Sequence, residues 1–242
     1  MNDDNKKERL ILTPRDLKVF HFIFQMRFAT SVQIMKACFQ ETRHGKSRTS
    51  DTYVKTRLAQ LVKGNFLSNG RPPSIRTQRY YYRITRLGLS VLEGNLVSYE
   101  ISKIPAIKFP NFEHDLHVTD CRIALEKNGR ATQWTPEFEI RALHNAFKNL
   151  PAKYIPDGLF INKLGELTAF EMEISRKSKE RYEDKIQKYV SLVRSHFDEE
   201  VKFKRVLFVV KNKDVLKILS DMTRIYADIF RVESFDSVTE AL

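Results

Sequence analysis

The stretch PDGLFINKLGELTAFEMEIS, residues 156 to 175, constrains the fold more than any other part of the chain. Alternating apolar positions run into and out of a short polar turn, a period of two that describes a β-hairpin. Phe170, Met172 and Ile174 face one way and pack. Glu171 and Glu173 therefore share the other side, because strand side chains alternate. A turn centred on Leu164 sets Asp157 directly opposite Glu171, with Cβ atoms roughly 4.5 to 5.5 Å apart. A tighter turn on Leu164 and Gly165 would instead set Asp157 against Met172. Three carboxylates held together repel, so one takes up a proton or a cation sits among them. A hard divalent ion, Mg²⁺ or Mn²⁺, is one solution, with Asp157, Glu171 and Glu173 as ligands. The other is that Glu171 or Glu173 pairs with Arg176, Lys177 or Arg181 on a solvated face.

The chain's 242 residues are 42% apolar and 30% charged, which suits one large or two ordinary domains and excludes a disordered chain. No apolar run approaches the ~18 residues of a membrane span. The start, MNDDNKKERL, is polar and mixed in charge rather than a signal peptide, so a cytoplasmic protein is expected. Cys38 and Cys121 fall in separate helical patterns without metal-ligand spacing and read as buried thiols. The net charge of +12 is unevenly spread: residues 1 to 95 hold 18 Lys+Arg against 7 Asp+Glu, and the rest hold 24 against 23. A concentrated basic surface is the footprint of a nucleic-acid partner; the bland reading is a solubility device or an anionic-membrane patch.

The basic segment has helical punctuation. Thr13 as N-cap, Pro14 at the first helical position and Asp16 at capping-box spacing open one helix. Thr30 and Gln33 open a second, and a third runs through SDTYVKTRLAQLVKGN. In the third, Val54, Leu58, Leu61 and Val62 form the buried stripe, which turns Thr52, Tyr53, Thr56, Gln60 and Lys63 outward. Two strands around a basic turn and a closing helix capped by Thr85 follow. This order resembles a winged helix-turn-helix, whose third helix would enter the major groove of double-stranded DNA. Arg43, Lys46 and Arg48, with Arg71, Arg76 and Arg79 on the wing, are expected to hold phosphates. A protein-binding winged domain has the same order.

After Gly94 the pattern lapses into SYEISKIPAIKFPN, which gives domains at residues 1–95 and 111–242 joined by a linker at 96–110. The second domain reads as helix 111–127, strand 131–142, strand 155–162, strand 167–175, helix 178–196, strand 204–211, helix 213–229 and a last strand at 230–235. Glu137 and Glu139 then line one face of a strand, and Glu137 could join the metal site or equally lie on a solvated edge.

PDG at 156–158 and FEMEIS at 170–175, within an αβββαβ order, resemble the PD-(D/E)xK nuclease superfamily. Glu173 stands where that motif has lysine; in some members the following helix supplies it, and here Lys185 and Tyr189 lie one turn apart on that helix. A winged helix followed by HDLHVTDCRIALE, WTPEFEI, PDG, FEMEIS and KIQKY is similar to the replication-relaxation family and its MobC-type plasmid mobilisation relaxases. The resemblance implies an α+β chain, an N-terminal winged helix-turn-helix and a PD-(D/E)xK nuclease-like domain. It also implies a metal-dependent endonuclease that nicks one strand at an origin of transfer, with an accessory mobilisation protein and a coupling ATPase as partners. Its catalytic group would be Asp157, Glu171, Glu173, Lys185 and His114. On residues alone His114, in line with Val118, Cys121 and Leu125, also reads as a core histidine, and Tyr182 and Tyr189 also read as core. Water and a tyrosine hydroxyl both stay open as nucleophile, and a DNA-binding regulator with a degenerate nuclease domain is the alternative function.

Overall fold

Two threonines fix where the first helices begin. In the computed structural model, which describes residues 10–39, 50–72, 80–95, 104–142, 155–194 and 204–240, α1 (Pro14–Met26) and α2 (Ser31–Cys38) both carry complete capping boxes, Thr13 with Asp16 and Thr30 with Gln33. Each such cap contributes about 1 kcal/mol. Between them a two-residue strand, β1 (Ala29–Thr30), is too short to show as a pattern in the sequence. Then come α3 (Asp51–Lys63), β2 (Leu67–Gly70), β3 (Tyr81–Ile84) and α4 (Arg86–Glu93). The strands form an antiparallel sheet in the order β1-β3-β2. Val54, Leu58 and Leu61 are buried together with Phe20, Ile23 and Ile34. Asp16 acts beyond its own cap. Its carboxylate, 1% exposed, accepts from Arg57 of α3 at 2.6 and 3.0 Å and so ties the first helix to the third.

The chain divides into two compact units, Met1–Phe112 and Glu113–Leu242. The second contains most of α5 (Phe112–Lys127), then β4 (Ala131–Pro136), α6 (Glu137–Ala142), β5 (Gly158–Asn162), β6 (Leu167–Glu173), α7 (Lys179–Arg194), β7 (Arg205–Val210), α8 (Lys213–Thr223), β8 (Phe230–Ser234) and α9 (Phe235–Thr239). Its five-stranded sheet runs β4-β5-β6-β7-β8, antiparallel through β6 and parallel from β6 to β8. One apolar core joins Leu159, Ala169, Val206 and Phe208 of the sheet to Tyr182, Ile186 and Tyr189 of α7 and to Val215 and Leu219 of α8. Elsewhere Trp134 stacks on Phe160 at 5.8 Å and meets Phe170 at 5.1 Å.

The expected strand 131–142 ends at Pro136, whose ring leaves no N–H for the ladder, and the chain turns into a helix. Glu137 and Glu139 thus sit in the first turn of α6, where acids suit the positive end of the helix, and Glu137 pairs with Arg141 at 2.7 Å. They do not form an acidic strand face. The helix expected over 213–229 stops at Thr223 and passes into a 3-10 turn, Arg224–Tyr226.

Candidate functional site

The hairpin that opens onto the site is held by its own turn. Asn162 Oδ1 accepts the amides of Leu164 and Glu166 at 2.8 and 3.0 Å, and Gly165 takes a φ of 74° that favours glycine. Gly158 pairs with Phe170 and Leu159 with Ala169, the register of the looser turn. The ladder stops at Gly158, and Asp157 stands one residue before it. Its N–H donates to the Phe170 carbonyl at 3.0 Å, and its Oδ2 accepts the Met172 amide at 2.8 Å, so a side chain ends the ladder and satisfies a backbone donor. Gly158 next to it has a steric reason: a Cβ there would stand 2.5 Å from the Trp134 indole.

His114, on α5, reaches the same point. Its Nε2 lies 3.1 Å from Asp157 Oδ2 and 3.2 Å from the Met172 carbonyl, and its Nδ1 lies 3.3 Å from Asp115 Oδ1. Both ring nitrogens thus face acceptors, which only the imidazolium serves with two N–H groups. Burial works against that charge, but the carboxylates of Asp115 and Asp157 outweigh it and push the pKa up to about 10. In return, although burial would raise the Asp157 carboxyl, His114, Lys185 and the Met172 amide hold it below its ordinary value.

Glu171 and Glu173 share with Ala169 the face of β6 that packs against α7, and they are 5% and 1% exposed. Lys185 of α7 crosses to both, its Nζ donating to Glu171 Oε2 at 2.7 Å and to Glu173 Oε1 at 2.9 Å. Lys177 Nζ donates to the other Glu173 oxygen at 2.7 Å, and the Tyr189 hydroxyl donates to the other Glu171 oxygen. Burial raises the Glu171 pKa, with Lys185 opposing it and the Asp157 charge adding to it. Lys185 is itself partly buried, yet the fields of Glu171, Glu173 and Asp157 push its pKa up, so it stays an ammonium. The three acids therefore share one electrostatic pocket whose central cation belongs to the protein.

The structure thus brings together all of the expected catalytic residues, His114, Asp157, Glu171, Glu173 and Lys185. Sequence reasoning offers Lys177 only as one of several partners on a solvated face and Tyr189 only as a neighbour of Lys185; donation from Tyr189 to Glu171 has no signal in a stripe position. The Tyr182 hydroxyl donates to the Ser175 carbonyl at 3.3 Å and accepts the Lys177 amide at 3.1 Å. Lys211, whose amide donates to the Glu173 carbonyl, places Nζ 2.7 Å from His117 Nε2. Burial and that ammonium push the His117 pKa down to about 4. Among the described residues no group of three or more His, Cys, Asp or Glu side chains forms a ready metal cage. A Mg²⁺ ion asks for less, usually one or two carboxylates with water and phosphate completing the shell, and Asp157 and Glu171 are donors of that kind.

In the first unit, Thr52, Tyr53, Thr56, Gln60 and Lys63 are exposed on α3, as the stripe predicts, beside an Asp51–Lys55 pair. Arg71 stacks over the Tyr80 ring at 4.6 Å. Arg43, Lys46, Arg48, Arg76 and Arg79 lie outside the described residues.

The family model described as replication-relaxation matches residues 20–206, a span that takes in α3, the hairpin and α7. The chain belongs to the replication-relaxation family. That membership supports a role in plasmid replication or mobilisation. No curated protein and no solved structure matches the chain. Among the described residues of this replication-relaxation protein, no helix is long and apolar enough to cross a membrane.

Proposed function

We propose that this replication-relaxation protein is a plasmid mobilisation relaxase, a DNA endonuclease that nicks one strand at an origin of transfer. The observation that carries the reading is the convergence of Asp157, Glu171 and Lys185 from two adjacent strands and the following helix. A winged helix-turn-helix reading of the first unit is supported by its order of helices, hairpin and closing helix, with α3 presenting an uncrowded polar face to double-stranded DNA.

Asp157 and Glu171 are the residues that would hold Mg²⁺ or Mn²⁺. Such an ion, when bound, lowers the pKa of a coordinated water and neutralises phosphate charge. His114 keeps Asp157 ionised and fixes its direction through Nε2. Lys185 carries its proton throughout the working pH range and supplies positive charge where a phosphorane or departing oxygen gains negative charge. Tyr189 is committed to Glu171, and the Tyr182 hydroxyl donates to the Ser175 carbonyl, which favours water as the nucleophile. The test is incubation of supercoiled plasmid bearing the cognate origin with Mg²⁺ or Mn²⁺. Open circles formed by the wild type and lost in both Asp157→Asn and Glu171→Gln support the proposal; linear product would mean cutting of both strands.

A second reading is a non-catalytic DNA-binding regulator. One observation favours it: the Lys185 and Lys177 ammonium groups together already balance Glu171 and Glu173, so that pair of carboxylates is neutralised as it stands. Footprinting without nicking, unchanged in both variants, would establish it.

A further inference from the structure

The end of the five-stranded sheet remote from Glu173 carries a second charged feature. Beyond the last turn of α5 a cavity of about 590 Å³ opens over Phe160 and Leu207, and Arg130, Lys163, Arg205 and Arg231 line it. Two carboxylates pair with these cations. Glu233 takes Arg130 at 2.6 Å and also Arg231, and Glu166 takes Arg205 at 2.9 Å. Four cations against two carboxylates leave the lining positive. Two guanidiniums sharing Glu233 also bring more N–H donors than one carboxylate can accept. The Glu166 carboxyl is held below its ordinary range by hydrogen bonds from Arg205 and Asn162 and by the field of Lys204, in keeping with that positive environment. The C-terminal carbonyls of α5, which would repel an anion, are partly capped: Arg130 N–H donates to the Leu125 carbonyl at 2.8 Å and Gly129 N–H to Glu126 at 3.1 Å.

An apolar floor under a rim of guanidinium and ammonium groups suits a phosphate ester, since arginine forks match phosphate oxygens. We propose that this groove holds the sugar-phosphate backbone of duplex DNA at a contact separate from the carboxylate pocket. The inference rests on the reading of this chain as a DNA-binding protein. Thr168 lines the groove at the start of β6, on the sheet face away from Glu171 and Glu173, so the contact would be independent of the carboxylates and would hold DNA without reading its sequence.

The full-length protein, in EDTA, is titrated onto a labelled random-sequence duplex over a range of salt concentrations, and the slope of log Kobs against log salt is read. Lys163→Ala combined with Arg231→Ala removes two of the four cations and leaves the Arg130–Glu233 pair in place. The slope is expected to shrink by about 1.8, close to 0.9 for each phosphate no longer neutralised. Lys163→Arg with Arg231→Lys should keep the wild-type slope, and unchanged Trp134 emission shows that both variants are folded. A wild type that binds duplex with a slope the alanine pair does not alter overturns the groove, whatever the nicking assay shows. Displacement of the duplex by micromolar nucleoside triphosphate overturns it in favour of a free-nucleotide pocket. A reduced slope in a protein that never nicks supports the groove and removes only the endonuclease reading.

Discussion

Replacing His114 by glutamine tests the electrostatic frame of the pocket. The folded protein holds the imidazole pKa at about 10, against an ordinary value of 6.5. At 1.36 kcal/mol per tenfold change in proton affinity, that difference is worth about 5 kcal/mol as a ceiling. The His114 and Asp157 side chains are 24% and 22% exposed, so water screens part of it and about 2 to 3 kcal/mol is expected. The sign follows from the direction. A base whose folded pKa lies above its unfolded one adds stability fully below pH 6.5 and loses it as the pH climbs toward 10. Over that window neighbouring groups are silent: Asp157, depressed below 3.8, loses its contribution only in acid, and His117, at about 4, acts below 6.5. The assay is urea unfolding followed by the emission of Trp134, the chain's one tryptophan, buried in the second unit. Wild-type stability should fall by about 2 to 3 kcal/mol more than that of His114→Gln between roughly pH 6.5 and 9.5, the smaller loss common to both near the top of the range coming from the buried Cys121 thiol, which burial keeps protonated. Parallel profiles for the two proteins would refute the reasoning.

Other perturbations have equally definite outcomes. Lys185→Met strands Glu171 and Glu173 without their shared cation and should destabilise the second unit by about 3 to 5 kcal/mol at neutral pH. The loss should shrink at acid pH, because burial already raises the Glu171 carboxyl above its ordinary value and removal of the ammonium raises it further; equal losses at neutral and acid pH would count against the shared pocket. Gly158→Ala drives a methyl into the Trp134 indole, so a loss of about 1 to 3 kcal/mol and a shifted emission maximum are expected. Arg57→Met leaves Asp16 buried and uncompensated. It should lower the first unit's stability by about 3 kcal/mol, read as a lower melting temperature by circular dichroism.

Where local chemistry decides the outcome, the sequence is a sufficient guide. The capping boxes at Thr13 and Thr30 are written in residues three apart, and the register that sets Gly158 across from Phe170 is written in NKLGE. EFEI at 137–140 misleads because four residues of alternating acid and apolar character fit one helical turn as well as a strand; Pro136 is the signal that the ladder has ended. The identity of the pocket's cation lies beyond pattern alone. Lys185 meets Glu171 and Glu173 only because α7 packs through Tyr182, Ile186 and Tyr189 onto the same sheet face, and tertiary packing of that kind has no period along the chain.

That the ammonium rides on a helix while its acids ride on a strand has a consequence for timing. A chain whose strands have paired before α7 docks would display bare, mutually repelling carboxylates. On the endonuclease reading proposed above, cutting power would then wait on the docking of α7, and a half-made protein could do no harm to the DNA around it.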